Sequence, residues 1–174
     1  MVVSDSLNIR AADAADCEQL VGIYNPYIET SAVTFEEVAL TAAQMAARLD
    51  RVSRRGLPWL VAEVDGEVTG YAYAAPWRER SAYRYSVEVS AYVARRQLGR
   101  GVGAALYTVL LPMLEALDLR TVLAVVPLPN PASVALYEKL GFAQVAHLKQ
   151  VGFKLGRWVD VGYWQRDLVY NREF

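Results

Sequence analysis

The run Leu98-Gly99-Arg100-Gly101-Val102-Gly103-Ala104 constrains this chain most, because it divides a stretch of strand periodicity from one of helical periodicity. Before it, Ser86 to Val93 alternates with a period of two; after it, Gly101 to Leu117 reads as an amphipathic helix. Glycines at such a switch let backbone N–H groups approach a ligand, and the positive end of the helix favours an anion such as a pyrophosphate. The same glycines equally make a tight turn that holds nothing. Arg95, Arg96 and Arg100 add local positive charge. A classical dinucleotide fingerprint fits less well, since the spacing is G-x-G-x-G and Leu119-Arg120-Thr121, about twenty residues on, offers no acid for a ribose.

Other elements fall on either side of this switch. Leu7 to Arg10 alternates like a strand, and Leu20, Ile23, Tyr24 and Tyr27 recur at helical spacing between Asp13 and Ile28. A second helix is predicted from Thr41, which forms a capping box with Gln44, to Gly56, with Pro58 reinforcing the stop. Asp65-Gly66 between Trp59–Val64 and Glu67–Ala74 is a strong hairpin signal. Beyond the switch come a strand from Thr121 to Val126, a helix from Pro131 to Leu140 ended by Gly141, and two strand-like runs, Phe142 to Phe153 and Trp158 to Leu168. The expected fold class is α/β (α+β), one domain over residues 1–174, with no repeat or linker dividing it.

Composition bounds the partners. A length of 174 residues, 54% hydrophobic content and a net charge of −1 suit one soluble domain with no global attraction for nucleic acid or an anionic membrane. The N-terminus does not read as a secretory signal, and no run approaches the ~20 apolar residues of a membrane span, so the cytoplasm is the expected compartment. Cys17, the single cysteine, reads as structural. His147, the single histidine, has no acidic or cysteine neighbour in sequence, so no metal is expected.

Three stretches have side chains suited to chemistry. A period of two sets Glu88, Ser90 and Tyr92 on a polar face of their strand, opposite Val87, Val89, Ala91 and Val93. A carboxylate in mid-strand is costly to bury, so Glu88 faces water, pairs with an arginine, or serves as a base. Ser133 and Tyr137 lie four apart on one helical face; Tyr137 is either a core tyrosine or a proton donor to a departing thiolate. Trp77-Arg78-Glu79-Arg80-Ser81-Ala82-Tyr83-Arg84 is either a solvated loop or a site for carboxylate or phosphinate oxygens, which arginine's planar fork binds in pairs.

Together these stretches resemble a known family. The strand, glycine turn and helix, followed by Asn130-x-x-Ser133-x-x-Leu136-Tyr137-x-x-x-Gly141-Phe142, look like the acetyl-CoA-binding half of GNAT acetyltransferases. Tyr27 to Phe35, Trp59 to Val68, Trp77 to Tyr83 and Asp160 to Gln165 are similar to phosphinothricin acetyltransferases within that superfamily. The resemblance runs from about Leu7 to Leu168. It implies a mixed, mostly antiparallel sheet splayed at the acetyl-CoA site and flanked by helices. It implies that backbone groups of Ala91, Tyr92 and Val93 pair with the pantetheine arm, that Gly99, Arg100, Gly101, Val102, Gly103 and Ala104 cradle the pyrophosphate, and that Asn130 and Ser133 meet the cofactor. Substrate contacts would come from Phe35, Arg78, Glu79, Arg80, Tyr83, Glu88, Val89, Ser90 and Val161. A homodimer is the usual assembly.

The implied reaction is acetyl transfer from acetyl-CoA to the α-amino group of a small amino-acid analogue: phosphinothricin, methionine sulfoximine or methionine sulfone. Glu88 is the candidate base and Tyr137 the candidate acid; neither a metal nor a cysteine nucleophile is required. Two residues depart from the family pattern. Leu98 stands where glutamine or arginine usually opens the glycine motif, which weakens the expected cofactor affinity. Tyr137 stands where herbicide-resistance members carry histidine, which makes narrow preference for phosphinothricin less secure. The alternatives are a GNAT enzyme for another small amine or a protein amine, and a catalytically silent acyl-CoA-binding module.

Overall fold

Local signals start most of the helices in the computed structural model, which describes residues 7–169. Helix α2 (Ala42–Arg54) opens on the Thr41–Gln44 capping box, with Gln44 N–H donating to Thr41 Oγ1 at 3.2 Å. Helix α4 (Pro131–Lys139) opens on Asn130, whose Oδ1 accepts the Ser133 N–H at 3.1 Å, with proline at the first position. Helix α3 (Val102–Ala116) follows Gly101 in the left-handed region, φ +84°. Helix α1 (Cys17–Thr30) starts later than the periodicity predicts, because Asp13 caps a separate 3-10 turn, Ala14–Asp16, in a box with Asp16. Arg10 then grips the buried Asp16 carboxylate through two nitrogens, at 2.7 and 2.8 Å, and Glu63 through its third.

Among the described residues seven strands form one sheet: β1 (Asn8–Ala11), β2 (Trp59–Val64), β3 (Glu67–Pro76), β4 (Ser86–Val93), β5 (Thr121–Leu128), β6 (Ala143–Lys154) and β7 (Arg157–Asp167). Their order is β1-β2-β3-β4-β5-β7-β6, antiparallel at every step except β4–β5. One face packs on α3 through Leu106, Tyr107, Leu110 and Leu114, with Tyr137 and Phe142 in the same cluster. The other face packs on α1 and α2. The face of β4 read as polar is therefore mixed: Tyr92 lies in an aromatic layer with Tyr24, Tyr27 and Tyr71, at ring separations from 4.7 to 5.8 Å.

The parallel step positions the site. Strands β4 and β5 share three rungs, Ser86–Thr121, Val87–Val122 and Glu88–Leu123. Past Glu88, β4 stays with β3 as far as Val93, while β5 stays with β7 as far as Leu128. The sheet thus opens into a fork, and Glu88 stands on its last rung.

Candidate active site

A cleft of about 460 Å³ occupies the fork. One wall is β4 from Val89 to Val93, the other is Val125 to Pro127 of β5, and the glycine turn with the first residues of α3 and α4 closes the end. Antiparallel pairing alternates residues whose main-chain groups face the partner strand with residues whose groups face away. Because Ala94 N–H donates to Thr69 C=O at 2.8 Å in an unbroken register, Tyr92 and Ser90 turn their main chain to β3. Val89, Ala91 and Val93 turn theirs to the fork. Tyr92 thus lines the cleft without offering its backbone, unlike its expected role beside Ala91 and Val93. The Val93 carbonyl already accepts the Tyr27 hydroxyl at 2.6 Å.

The glycine turn presents donors. Gly99 and Gly101 take φ of +74° and +84°, a region side chains rarely adopt. The first main-chain bond of α3 runs from Ala105 N–H to Gly101 C=O, so the amides of Val102, Gly103 and Ala104 precede the helical ladder. Three donors without a partner among the described residues, at the positive end of a helix, fit a pyrophosphate. Gly99, Gly101, Val102, Gly103, Ala104, Asn130 and Ser133 all line the cleft, whereas Arg100 stands exposed outside its lining. Arg95 keeps its positive charge while its guanidinium bonds the neutral Pro26 C=O and Thr30 Oγ1, whereas the charge of Arg96 is offset by a pair with Glu67.

Glu88 and Tyr137 belong to opposite sides of the sheet, yet they meet electrostatically through the fork. Burial raises the Glu88 carboxyl above its ordinary value of 4.5, and the nearby Arg78 cation pulls it back. Burial pushes the Tyr137 hydroxyl up to about 12; the Tyr107 hydroxyl lowers it and the Glu88 charge raises it. Tyr137 is 7% exposed and bonded to Tyr107 at 2.8 Å, oxygen to oxygen. Burial also takes Tyr73, opposite Ser90 on β3, up to about 12, with the Ser90 hydroxyl acting against it.

The remaining predicted substrate residues divide. Arg78 lies 4.3 Å over the Trp77 ring, and Trp77 meets Tyr163 edge-on at 5.7 Å, which holds Arg78 near Glu88. Val89 and Ser90 line the cleft, and Val161 is buried beside Pro127 in the β5–β7 register. Phe35, in the loop between α1 and α2, lies against Gly152 of β6 so closely that any Cβ there would stand 2.3 Å from its ring. Glu79, Arg80 and Tyr83 are exposed on the β3–β4 connection.

Several residues in and behind the cleft escaped sequence reasoning. Tyr27 and Val33 line it, and Tyr107 backs Tyr137. Lys154, buried to 2%, donates to Thr34 C=O at 2.7 Å and ties the Phe35 loop to β6. None carries a local signal, because each acquires its partner through a sheet or helix contact distant in sequence. His147 gains a partner in the same way: the β6–β7 pairing brings Asp160 Oδ2 to 2.7 Å from its Nε2. Among the described residues no three His, Cys, Asp or Glu side chains group to hold a metal, and Cys17 is buried.

Residues 9–162 match the family model described as "Acetyltransferase (GNAT) domain". A phosphinothricin N-acetyltransferase of Streptomyces viridochromogenes is 47% identical over 161 residues, covering 92% of this chain and 87% of the relative. An L-methionine sulfoximine/L-methionine sulfone acetyltransferase of Pseudomonas aeruginosa is 36% identical over 168 residues, covering 96% and 98%. Among solved structures, a phosphinothricin acetyltransferase of Sinorhizobium meliloti in complex with AcCoA superimposes with a TM-score of 0.91 at 38% identity, covering 94% of this chain and 89% of that one.

Proposed function

The chain belongs to the GNAT acetyltransferase family and is an acetyl-CoA-dependent N-acetyltransferase; on that premise we propose that its acceptor is a small amino-acid analogue of the phosphinothricin and methionine sulfoximine or sulfone type, acetylated for detoxification. The relatives' names support this acceptor class. The observation that carries it is Arg78, stacked on Trp77 and close enough to Glu88 to lower its pKa. A forked cation beside a half-buried carboxylate suits a substrate that brings an ammonium together with a carboxylate and a tetrahedral phosphinyl, sulfoximine or sulfone group.

Glu88 takes the proton that keeps the acceptor's ammonium from attacking, and its raised pKa brings it nearer the working pH of a base. A main-chain N–H of the split central strands, past the last rung of the fork, donates to the carbonyl oxygen as charge gathers there. Tyr137 donates a proton to the departing sulfur. The α3 amides, with Ala91, Val93, Asn130 and Ser133, hold the cosubstrate, which supplies an acetyl group activated as a thioester. Phe35, Val161 and Ser90 shape the acceptor pocket, with Glu79, Arg80 and Tyr83 at its rim.

Residues 1–174 act as one such domain in the cytoplasm, without nucleic-acid or membrane partners. The assembly is a homodimer, supported by the long edge strand β6, where Val145, Val151 and Phe153 stand exposed beside Leu155 and Trp158. Thiol release from acetyl-CoA, measured against phosphinothricin, methionine sulfoximine, methionine sulfone, ordinary amino acids and spermidine, tests the acceptor. Preference for the first three is expected. Turnover confined to ordinary amino acids or spermidine refutes the acceptor class, and silence across the panel favours another acceptor or a binding module.

A further inference from the structure

Tyr107 is fully buried in the middle of α3, and its hydroxyl meets a single partner among the described residues, the Tyr137 hydroxyl at 2.8 Å. Each hydroxyl is a donor and an acceptor, but one hydrogen bond joins them, so one proton of the pair points elsewhere. If Tyr137 donated, the Tyr107 proton would be left in the core of Leu106, Leu110 and Val126 with no acceptor, an arrangement folded proteins avoid. If Tyr107 donates, the spare proton is that of Tyr137, which lines the cleft. Burial therefore fixes the polarity of the bond.

We propose that Tyr107 is a positioning residue: its hydroxyl donates to Tyr137 and so turns the Tyr137 proton into the cleft, toward the departing sulfur. The proposal rests on the reading of Tyr137 as the acid. As the carbon–sulfur bond breaks, its electron pair goes to sulfur, the Tyr137 O–H bond breaks, and the proton passes to sulfur to give the thiol. The Tyr137 phenolate keeps the Tyr107 hydrogen bond until it recovers a proton from solvent. Solvent in turn receives the two protons that the acceptor nitrogen loses, one of them by way of Glu88. Tyr107 gives up no proton; it stabilises the charge on its neighbour.

The cycle Tyr107→Phe, Tyr137→Phe and the double variant tests this in two ways. In single-turnover thiol release with acetyl-CoA and methionine sulfone, Tyr107→Phe is expected to slow the reaction about tenfold in the wild-type background and by less than about twofold in the Tyr137→Phe background. The KM for acetyl-CoA should be unchanged in both. Equal slowing in both backgrounds, or none in the wild type, overturns the proposal. Thermal unfolding of the free protein supplies a readout independent of turnover. Tyr137→Phe strands the buried Tyr107 donor, whereas Tyr107→Phe leaves Tyr137 facing the cleft, so Tyr137→Phe should lower Tm further, by about 2–4 °C. The reverse order contradicts the burial asymmetry from which the polarity is argued, and the proposal with it. Full activity of Tyr137→Phe is a separate result that removes the acid itself.

Discussion

The two sides of the cleft are built differently. The side assigned to the cosubstrate comes from two short contiguous stretches, Val89 to Ala104 and Asn130 to Tyr137, whose main chain does most of the work. The side assigned to the acceptor gathers Phe35 from the α1–α2 loop, Arg78 from the β3–β4 connection, Gly152 from β6 and Val161 from β7, each a side chain or a gap that one fits. Backbone donors at a helix start survive most substitutions, whereas an assembled wall changes with any of its parts. The arrangement lets one side hold a constant cosubstrate while the other adapts to different amines. Glu88, on the last rung of the fork, belongs to both.

Substitutions can break or sharpen that division. Glu88→Gln should lower kcat by roughly 10²- to 10⁴-fold while sparing the KM for acetyl-CoA, as initial-rate thiol release will show. A residual rate near wild type would remove the base from the account. Arg78→Gln should raise the acceptor KM by about ten- to a hundredfold, the loss of a charge-assisted bond, and leave the acetyl-CoA KM alone. Gly101→Val reverses the pattern: a side chain at φ +84° strains the turn by about 1–3 kcal/mol and re-aims the α3 amides, so the acetyl-CoA KM should rise about tenfold with the acceptor KM unmoved. If either variant moved both constants equally, the two sides would not be separate. Gly152→Ala is the mildest, because the new Cβ displaces the half-exposed Phe35 ring from the loop; the acceptor KM should rise by about fivefold, equivalent to roughly 1 kcal/mol.

The same contrast governs what could be read from sequence. The glycine turn, the capping box at Thr41 and the Asp65-Gly66 hairpin are local, so residue order alone specifies them. The turn donors and the β4 alternation were legible for that reason. The assignment of Tyr92 to the cosubstrate by its backbone failed because the direction of its main-chain groups depends on pairing with Tyr71, which no spacing within β4 reveals. Arg95 and Arg96 read as local positive charge, and the partners that fix them, Thr30 and Glu67, arrive from α1 and β3, out of reach of local sequence. Tyr107 looked like any other apolar-face residue of an amphipathic helix, and its partner Tyr137 lies thirty residues on. For the acceptor wall, the chemistry of arginine left Arg78 open between a solvated loop and an oxyanion site until family resemblance favoured the site, Phe35 came from that resemblance alone, and the Lys154 tie to Thr34 links positions 120 residues apart.

The dependence of kcat on pH, compared between the wild type and Glu88→Gln with methionine sulfone as acceptor, tests the central claim most directly. A base must be deprotonated to work, and burial raises the Glu88 carboxyl, so the wild-type rate should fall as pH drops through a value above 4.5. Arg78→Gln should move that fall to still higher pH, because the cation that holds the carboxyl down is gone. Glu88→Gln should lack the fall altogether and run slowly at every pH. An acid limb that persists unchanged in Glu88→Gln would show that another group takes the proton, and the fork between β4 and β5 would then lose its assigned base.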